Sequence, residues 1–193
     1  MKTTIFASLV AGAAAFAPSQ SVRSSTALNA DLTKEIGVQA PLGFFDPAGI
    51  LGSDPTDGDA SDFAYRRHVE LTHGRVAMLA VVGYLTTAAG IRFPGAEDIP
   101  CGLAALPEVP GAVWAQFIAT TAAMTAANRD NTGTGEFLGD YRNGFIDFGW
   151  DKQSDEWKIR KRTIELNNGR AAQMGILGLM VHDAMGNVND ILP

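Results

Sequence analysis

The sequence predicts an all-α membrane protein with three transmembrane helices, the first and third crossing as a pseudo-two-fold pair. Three observations predict it. Apolar segments occupy about residues 70–91, 111–128 and 165–185, each near the roughly 20 residues that a bilayer core demands. A polar hexapeptide recurs at the start of the first and third, as Glu70-Leu-Thr-His-Gly-Arg75 and Glu165-Leu-Asn-Asn-Gly-Arg170. The links between segments are broken by Pro94, Pro100, Pro107 and Pro110, then by Gly133, Gly135, Gly139 and Gly144.

Composition narrows the class. The 193 residues are 46% hydrophobic and 19% charged, with a net charge of −6. The chain is too apolar for disorder and not basic enough for nucleic acid. Its single cysteine, Cys101, excludes an internal disulfide and a Cys-x-x-Cys zinc site.

Residues 1–30 read as a removable leader, leaving one domain over 31–193. Lys2 precedes an apolar run from Ile5 to Ala15, as in an export signal. Residues 19–26 are then rich in serine, carry Arg23 and lack acids, as in a transit peptide. The plainer alternative is an export signal with a polar linker. Maturation is expected between Ala27 and Ala30. Residues 31–61 form a loop-rich stretch with Pro41, Pro47 and Pro55. Its acidic run from Asp54 to Asp59 lacks EF-hand spacing and the closing glutamate, and reads as a solvated loop.

The first and third spans contain charge. Their charge-free runs, Val76 to Ile91 and Ala171 to Val181, are short for a membrane. They reach membrane length only if Glu70, His73, Arg75, Glu165 and Arg170 lie within them. An unpaired charge at mid-membrane costs about 2.5–3.5 kcal/mol on the insertion scale, so these charges must be paired.

The repeat supplies the pairing. Glu70-Leu-Thr-His-Gly-Arg-Val-Ala-Met-Leu-Ala-Val-Val-Gly83 aligns without a gap on Glu165-Leu-Asn-Asn-Gly-Arg-Ala-Ala-Gln-Met-Gly-Ile-Leu-Gly178, and Arg66-Arg67 aligns on Lys161-Arg162. Five residues separate Glu from Arg, about 140° on a helical wheel, which suits neither i,i+3 nor i,i+4 pairing. Two symmetry-related helices instead pair Glu70 with Arg170 and Glu165 with Arg75. Between the charges on the wheel lie Gly74, Met78, Val81 and Leu85, with Gly169, Gln173, Ile176 and Met180 on the partner. The glycines permit close backbone approach. His73 and Asn168 fall outside this arc and point to lipid or to a ligand. A neutral imidazole or amide in hydrocarbon needs a partner. A large apolar ring around a metal with one open axial position satisfies it, and a paired glutamate keeps a second oxygen for another magnesium.

These signatures resemble the light-harvesting chlorophyll-binding superfamily. Gly37-Val-Gln-Ala-Pro-Leu-Gly-Phe-Phe-Asp-Pro47, Pro100-Cys-Gly-Leu-Ala-Ala105 and Gly135-Glu-Phe-Leu-Gly-Asp-Tyr-Arg-Asn-Gly144 resemble its fucoxanthin–chlorophyll a/c branch. The resemblance covers nearly all of 31–193. It implies chlorophyll a, chlorophyll c, fucoxanthin and diadinoxanthin or a related xanthophyll as cofactors. It also implies that Glu70, His73, Glu165, Asn168 and His182 hold chlorophyll magnesium, that Gln116 is a second-helix ligand, and that Arg75 and Arg170 complete the pairs. Met124 stands where related sequences carry an acidic ligand, and a thioether is a weak acceptor. The loops at Phe44-Phe45-Asp46-Pro47 and Asp147-Phe148-Gly149-Trp150 resemble those cradling two crossed carotenoids. The junction Ala15-Phe16-Ala17-Pro18 resembles the split point of a two-part plastid leader.

The resemblance further implies a thylakoid location among membrane lipid, partners among photosystem cores and other antenna subunits, homo- or hetero-oligomers, and no nucleic acid. Basic clusters Arg66-Arg67 and Lys158-Ile-Arg-Lys-Arg162 are read as preceding the outer spans, which makes those ends and the N-terminus stromal. The implied role is light capture and excitation transfer to a photosystem, without covalent chemistry. A photoprotective, energy-dissipating member of the superfamily is one alternative. A small transporter using intramembrane charges is another. A soluble helical enzyme finds no support in any nucleophile–base or phosphate-loop pattern.

Overall fold

The computed structural model describes residues 29–52, 54, 56, 58–127, 129, 135–143 and 147–190. The expected leader at 1–30 lies outside these residues except for Asn29 and Ala30. These two form strand β1, which pairs antiparallel with β2 (Gly58–Asp59). Among the described residues four α-helices carry the fold: α1 (Ala60–Ala88), α2 (Ala105–Glu108), α3 (Gly111–Ala127) and α4 (Asp155–Ala184).

Capping sets where the long helices begin. Asp59 accepts from the backbone N–H groups of Ser61 and Asp62 and starts α1. Ser154 accepts from Trp157 N–H and starts α4, whose first turn carries Asp155 and Glu156. Both are favourable N-terminal chemistry. The helices thus begin ten residues ahead of the expected spans. Arg66-Arg67 and the cluster at 158–162 lie within helix, not in front of it, which corrects the sequence reading. With 29 and 30 residues, α1 and α4 are each about 44 Å long.

α1 and α4 cross and form the centre of the molecule. Gly74 and Ala77 of α1 and Leu166 and Gly169 of α4 are buried there. The contact is tightest at the glycines: a Cβ on Gly74 would lie 3.0 Å from Gly169 Cα, and the reverse is equally close. Gln173 Nε2 donates to the Glu70 carbonyl across the same seam at 3.3 Å. Farther along, Leu85 and Met180 are exposed. Of the predicted interface arc, the glycine end is therefore closed and the far end is open.

The far ends are tied by the first link. Asp183 of α4 accepts from Leu103 N–H at 2.6 Å, and its carboxylate fills the space beside Gly102, which has φ +73°. Arg92 donates to the carbonyls of Thr87 and Ile99 and so closes the C-terminal end of α1. Threonines 72, 86, 120 and 125 each bond the carbonyl four residues earlier. That consumes their hydroxyl donors within the helix.

Helix α3 is exposed along its whole length. Val113, Phe117, Ile118 and Met124 are among its exposed apolar side chains. The expected second span ended at Asn128, outside the described residues. Among the described residues no helix is long and apolar enough to cross a membrane. α3 is apolar but has 17 residues, and the apolar runs of α1 and α4 are interrupted by the charges at their crossing.

Candidate pigment-binding site

Charge is arranged about the crossing as the wheel requires. Arg75 Nε donates to Glu165 Oε1 at 2.7 Å, and Arg170 Nε donates to Glu70 Oε1 at 2.7 Å. Each arginine also reaches into the loop that precedes the other helix. Arg75 Nη2 donates to the Gly139 carbonyl at 3.0 Å, and Arg170 Nη1 to the Gly37 carbonyl at 2.9 Å. Both glycines have positive φ, +95° at Gly37 and +89° at Gly139. A Cβ on Gly37 would strike the Leu166 side chain, and one on Gly139 would lie 3.0 Å from the matching Leu71. The two-fold relation of the helices therefore extends to their loops.

The pairs are not equivalent. Glu70 Oε2 accepts from Arg67 Nη1 at 2.7 Å, one turn back on α1, and Arg67 Nη2 donates to the Ile36 carbonyl at 2.6 Å. Burial pulls the Arg67 guanidinium below its ordinary range, opposed by the charge of Glu70. Its counterpart Arg162 instead lies over the Phe137 ring, 4.2 Å from the centroid. Sequence reading placed Arg67 in the repeat and in a basic cluster but not on Glu70, although their spacing is the ordinary i,i+3 signal.

The outward donors sit where the wheel places them. His73 is exposed, and its Nδ1 lies 2.8 Å from the Val69 carbonyl. A carbonyl only accepts, so Nδ1 carries the proton and Nε2 keeps its lone pair. His182 Nδ1 lies 3.0 Å from Asn187 Oδ1 and is held in the same sense. Such a bond from the second ring nitrogen is the usual orienting device for a metal-ligating imidazole. Asn168 is exposed on the outer face of α4, and Gln116 is exposed on α3, where Met124 is 58% exposed. The structure thus gathers Glu70, Arg75, Glu165 and Arg170 into one cluster with His73 and Asn168 flanking it. It leaves Gln116 and His182 apart from that cluster.

Two open cavities flank the crossing. The larger, about 1300 Å³, is lined by Phe44, Phe45, Phe63, His73, Val76 and Ala80, and Gly37 and Arg170 also line it. The smaller, about 470 Å³, has Gly139 and Arg75 in its wall with Tyr141, Phe148 and Trp150. Each expected loop therefore contributes aromatic rings to one cavity. Asp46 serves its own loop by accepting from Leu51 N–H at 2.8 Å.

The second loop is built on a buried carboxylate. Asp140 takes Nε and Nη2 of Arg142 at 2.8 and 2.7 Å, and Arg142 also reaches Asp147 and Asp151. The bonded guanidinium holds the Asp140 carboxyl down to about 2. Tyr141 bonds His68 Nδ1 at 2.7 Å and lies beneath the Arg75 guanidinium. Neither Asp140 nor His68 was singled out from sequence, because each acts through a partner distant along the chain or folded back on it.

Comparison with known proteins identifies the lineage. Residues 32–184 match the family model described as chlorophyll A-B binding protein. The fucoxanthin-chlorophyll a-c binding protein B, chloroplastic, of Phaeodactylum tricornutum is 54% identical, covering 100% of this chain and 99% of that protein. The fucoxanthin-chlorophyll a-c binding protein of Trieres chinensis is 48% identical over 96% of each chain. Protein A of that name from Macrocystis pyrifera is 44% identical over 89% of this chain and 83% of that one. With the family model spanning both helices of the crossing and the loops that clamp it, the chain belongs to the chlorophyll A-B binding protein family.

Proposed function

We propose that this protein is a light-harvesting antenna subunit of the thylakoid membrane, binding chlorophyll a, chlorophyll c and fucoxanthin, and passing excitation to a photosystem. One observation carries the reading. The α1–α4 crossing pairs its four charges between the helices, while His73 and Asn168 stay exposed on the outer faces. Three apolar spans, about 70–91, 111–128 and 165–185, fit a bilayer only on those terms. The charges at 70–75 and 165–170 are the ones that the crossing pairs, so the cost of isolated charge in lipid does not apply to them.

Chlorophyll supplies the light absorption, and its magnesium takes one axial nitrogen or oxygen donor. The chain's own residues bind, orient and space the pigments. Glu70, His73, Glu165, Asn168 and His182 are the magnesium donors, and Gln116 is the donor on α3. The aromatic cavities beside the crossing suit long polyene xanthophylls, fucoxanthin first and diadinoxanthin or a relative second. The exposed apolar length of α3 suits a cover of pigment and lipid. Arg66-Arg67 and the basic cluster at 158–162, within α1 and α4 ahead of the apolar runs, favour a stromal N-terminus, and exposed apolar faces suit packing against other antenna subunits and photosystem cores.

The test is the pigment content of the purified protein and its variants. Chlorophyll a, chlorophyll c and fucoxanthin should co-purify in fixed ratios. His73→Leu and Asn168→Leu should each lose one chlorophyll per polypeptide with the helices intact. A full chlorophyll complement in both variants would defeat the ligand assignment.

A further inference from the structure

The two halves of the repeat bond their glutamates differently, and the difference has a chemical consequence. By the alignment of the two hexapeptides, Arg67 corresponds to Arg162. Through the loop glycines, Glu35-Ile36-Gly37 corresponds to Phe137-Leu138-Gly139. In the first half, Arg67 donates to Glu70 Oε2 and to the Ile36 carbonyl. Its aromatic support, Phe63, lies on its own helix at 5.0 Å, which leaves the guanidinium free to reach Glu70. In the second half the aromatic support is in the loop. Phe137 holds the Arg162 guanidinium at 4.2 Å, and Arg162 donates to no carboxylate among the described residues. Glu165 Oε1 is taken by Arg75, while Oε2 has no hydrogen-bond partner among the described residues.

Resting on the ligand reading above, we infer that the two central carboxylates are unequal donors. Arg67 occupies the second oxygen of Glu70, whereas Phe137 draws Arg162 away from Glu165 and leaves Oε2 open to magnesium. The chlorophyll site at Glu165 is therefore the tighter of the two. A guanidinium bonded to an oxygen uses one of its lone pairs and withdraws charge from the carboxylate, which weakens it toward a metal. Glu70 carries two such bonds and Glu165 carries one. Arg67 and Phe137 act through the glutamates, so they are positioning residues, and their effects on the two sites have opposite sign.

The experiment reconstitutes the full chain with fucoxanthin and rising chlorophyll a, reading chlorophyll retained per polypeptide and its absorption difference spectrum. Glu70→Leu and Glu165→Leu identify the filling step that belongs to each glutamate. The Glu165 step should fill at roughly tenfold lower chlorophyll concentration, the equivalent of one charged hydrogen bond. Arg67→Gln should move the Glu70 step toward the Glu165 step and shift its absorption band. Phe137→Leu should release Arg162 onto Glu165 and weaken that step. Tighter binding in Arg67→Gln cannot come from misfolding, so that arm holds even if the glutamate variants fold poorly. Coincident steps, or an unmoved Glu70 step in Arg67→Gln, overturn the inference alone. Full chlorophyll occupancy in both glutamate variants overturns the ligand reading and this inference with it.

Discussion

Gly74 and Gly169 face each other across the α1–α4 crossing so closely that a Cβ on either would lie 3.0 Å from the other's Cα. The atoms met are backbone, which a rotamer change cannot move. Gly74→Ala should therefore destabilise the protein by about 1–3 kcal/mol, the usual cost of overpacking, despite alanine's better helix propensity. Gly83→Ala is the control, since nothing lies within 4 Å of a Cβ there. Thermal unfolding followed by circular dichroism separates the two; equal midpoints would refute the close-approach account.

The arginines of the crossing should not be interchangeable. Arg75→Leu removes the one guanidinium bonded to Glu165, and a stranded carboxylate costs about 3 kcal/mol or more. Arg170→Leu leaves Glu70 bonded to Arg67, so its loss should be smaller. Stability and pigment yield of the two variants, measured side by side, check the order. A larger loss in Arg170→Leu would contradict the asymmetry.

Much of this centre was legible in the chain. The five-residue gap between Glu and Arg forbids pairing within a helix, and the repeat supplies the only symmetric alternative. The expected spans begin ten residues inside α1 and α4, because hydrophobicity marks the apolar run whereas capping marks the helix start. Asp59 and Ser154, each with acids in the following turn, were the better signal. The carbonyls of Gly37 and Gly139 were not legible, since they lie 133 and 64 residues from the arginines they bind. Phe137 looked like one more aromatic loop residue, because nothing local marks it as the support of Arg162.

Acid should release the second loop in a defined window. The Asp140 carboxyl is lowered from 3.8 to about 2 by Arg142. A lowered carboxyl stabilises the folded state fully above its unfolded value. The contribution falls as pH drops below about 4 and is gone below about 2, a change of about 2 kcal/mol. Trp150, beside Arg142 and Phe137, reports the loop by its fluorescence. Asp140→Asn should loosen the loop at neutral pH and remove this part of the acid transition.

At the other end, Asp183 fastens the first link. Asp183→Ala leaves Leu103 N–H without its acceptor and should cost about 1–3 kcal/mol, with faster proteolysis between residues 89 and 104. Gly102→Ala should do similar damage, because the added Cβ meets Asp183 and the φ of +73° is unfavourable for alanine. Unchanged cleavage in both variants would show that the link is held by something else.

The loop bonds to Arg75 and Arg170 also set an order of assembly. Before the helices cross, the bond from Gly37 to Arg170 must close 133 residues of chain. Once Glu70 has met Arg170, the segment left to close is roughly a quarter of that. Two halvings lower the closure entropy by about 1.2 kcal/mol. The loop bond to Arg170 is therefore expected to close at lower entropic cost once the crossing has formed than before it.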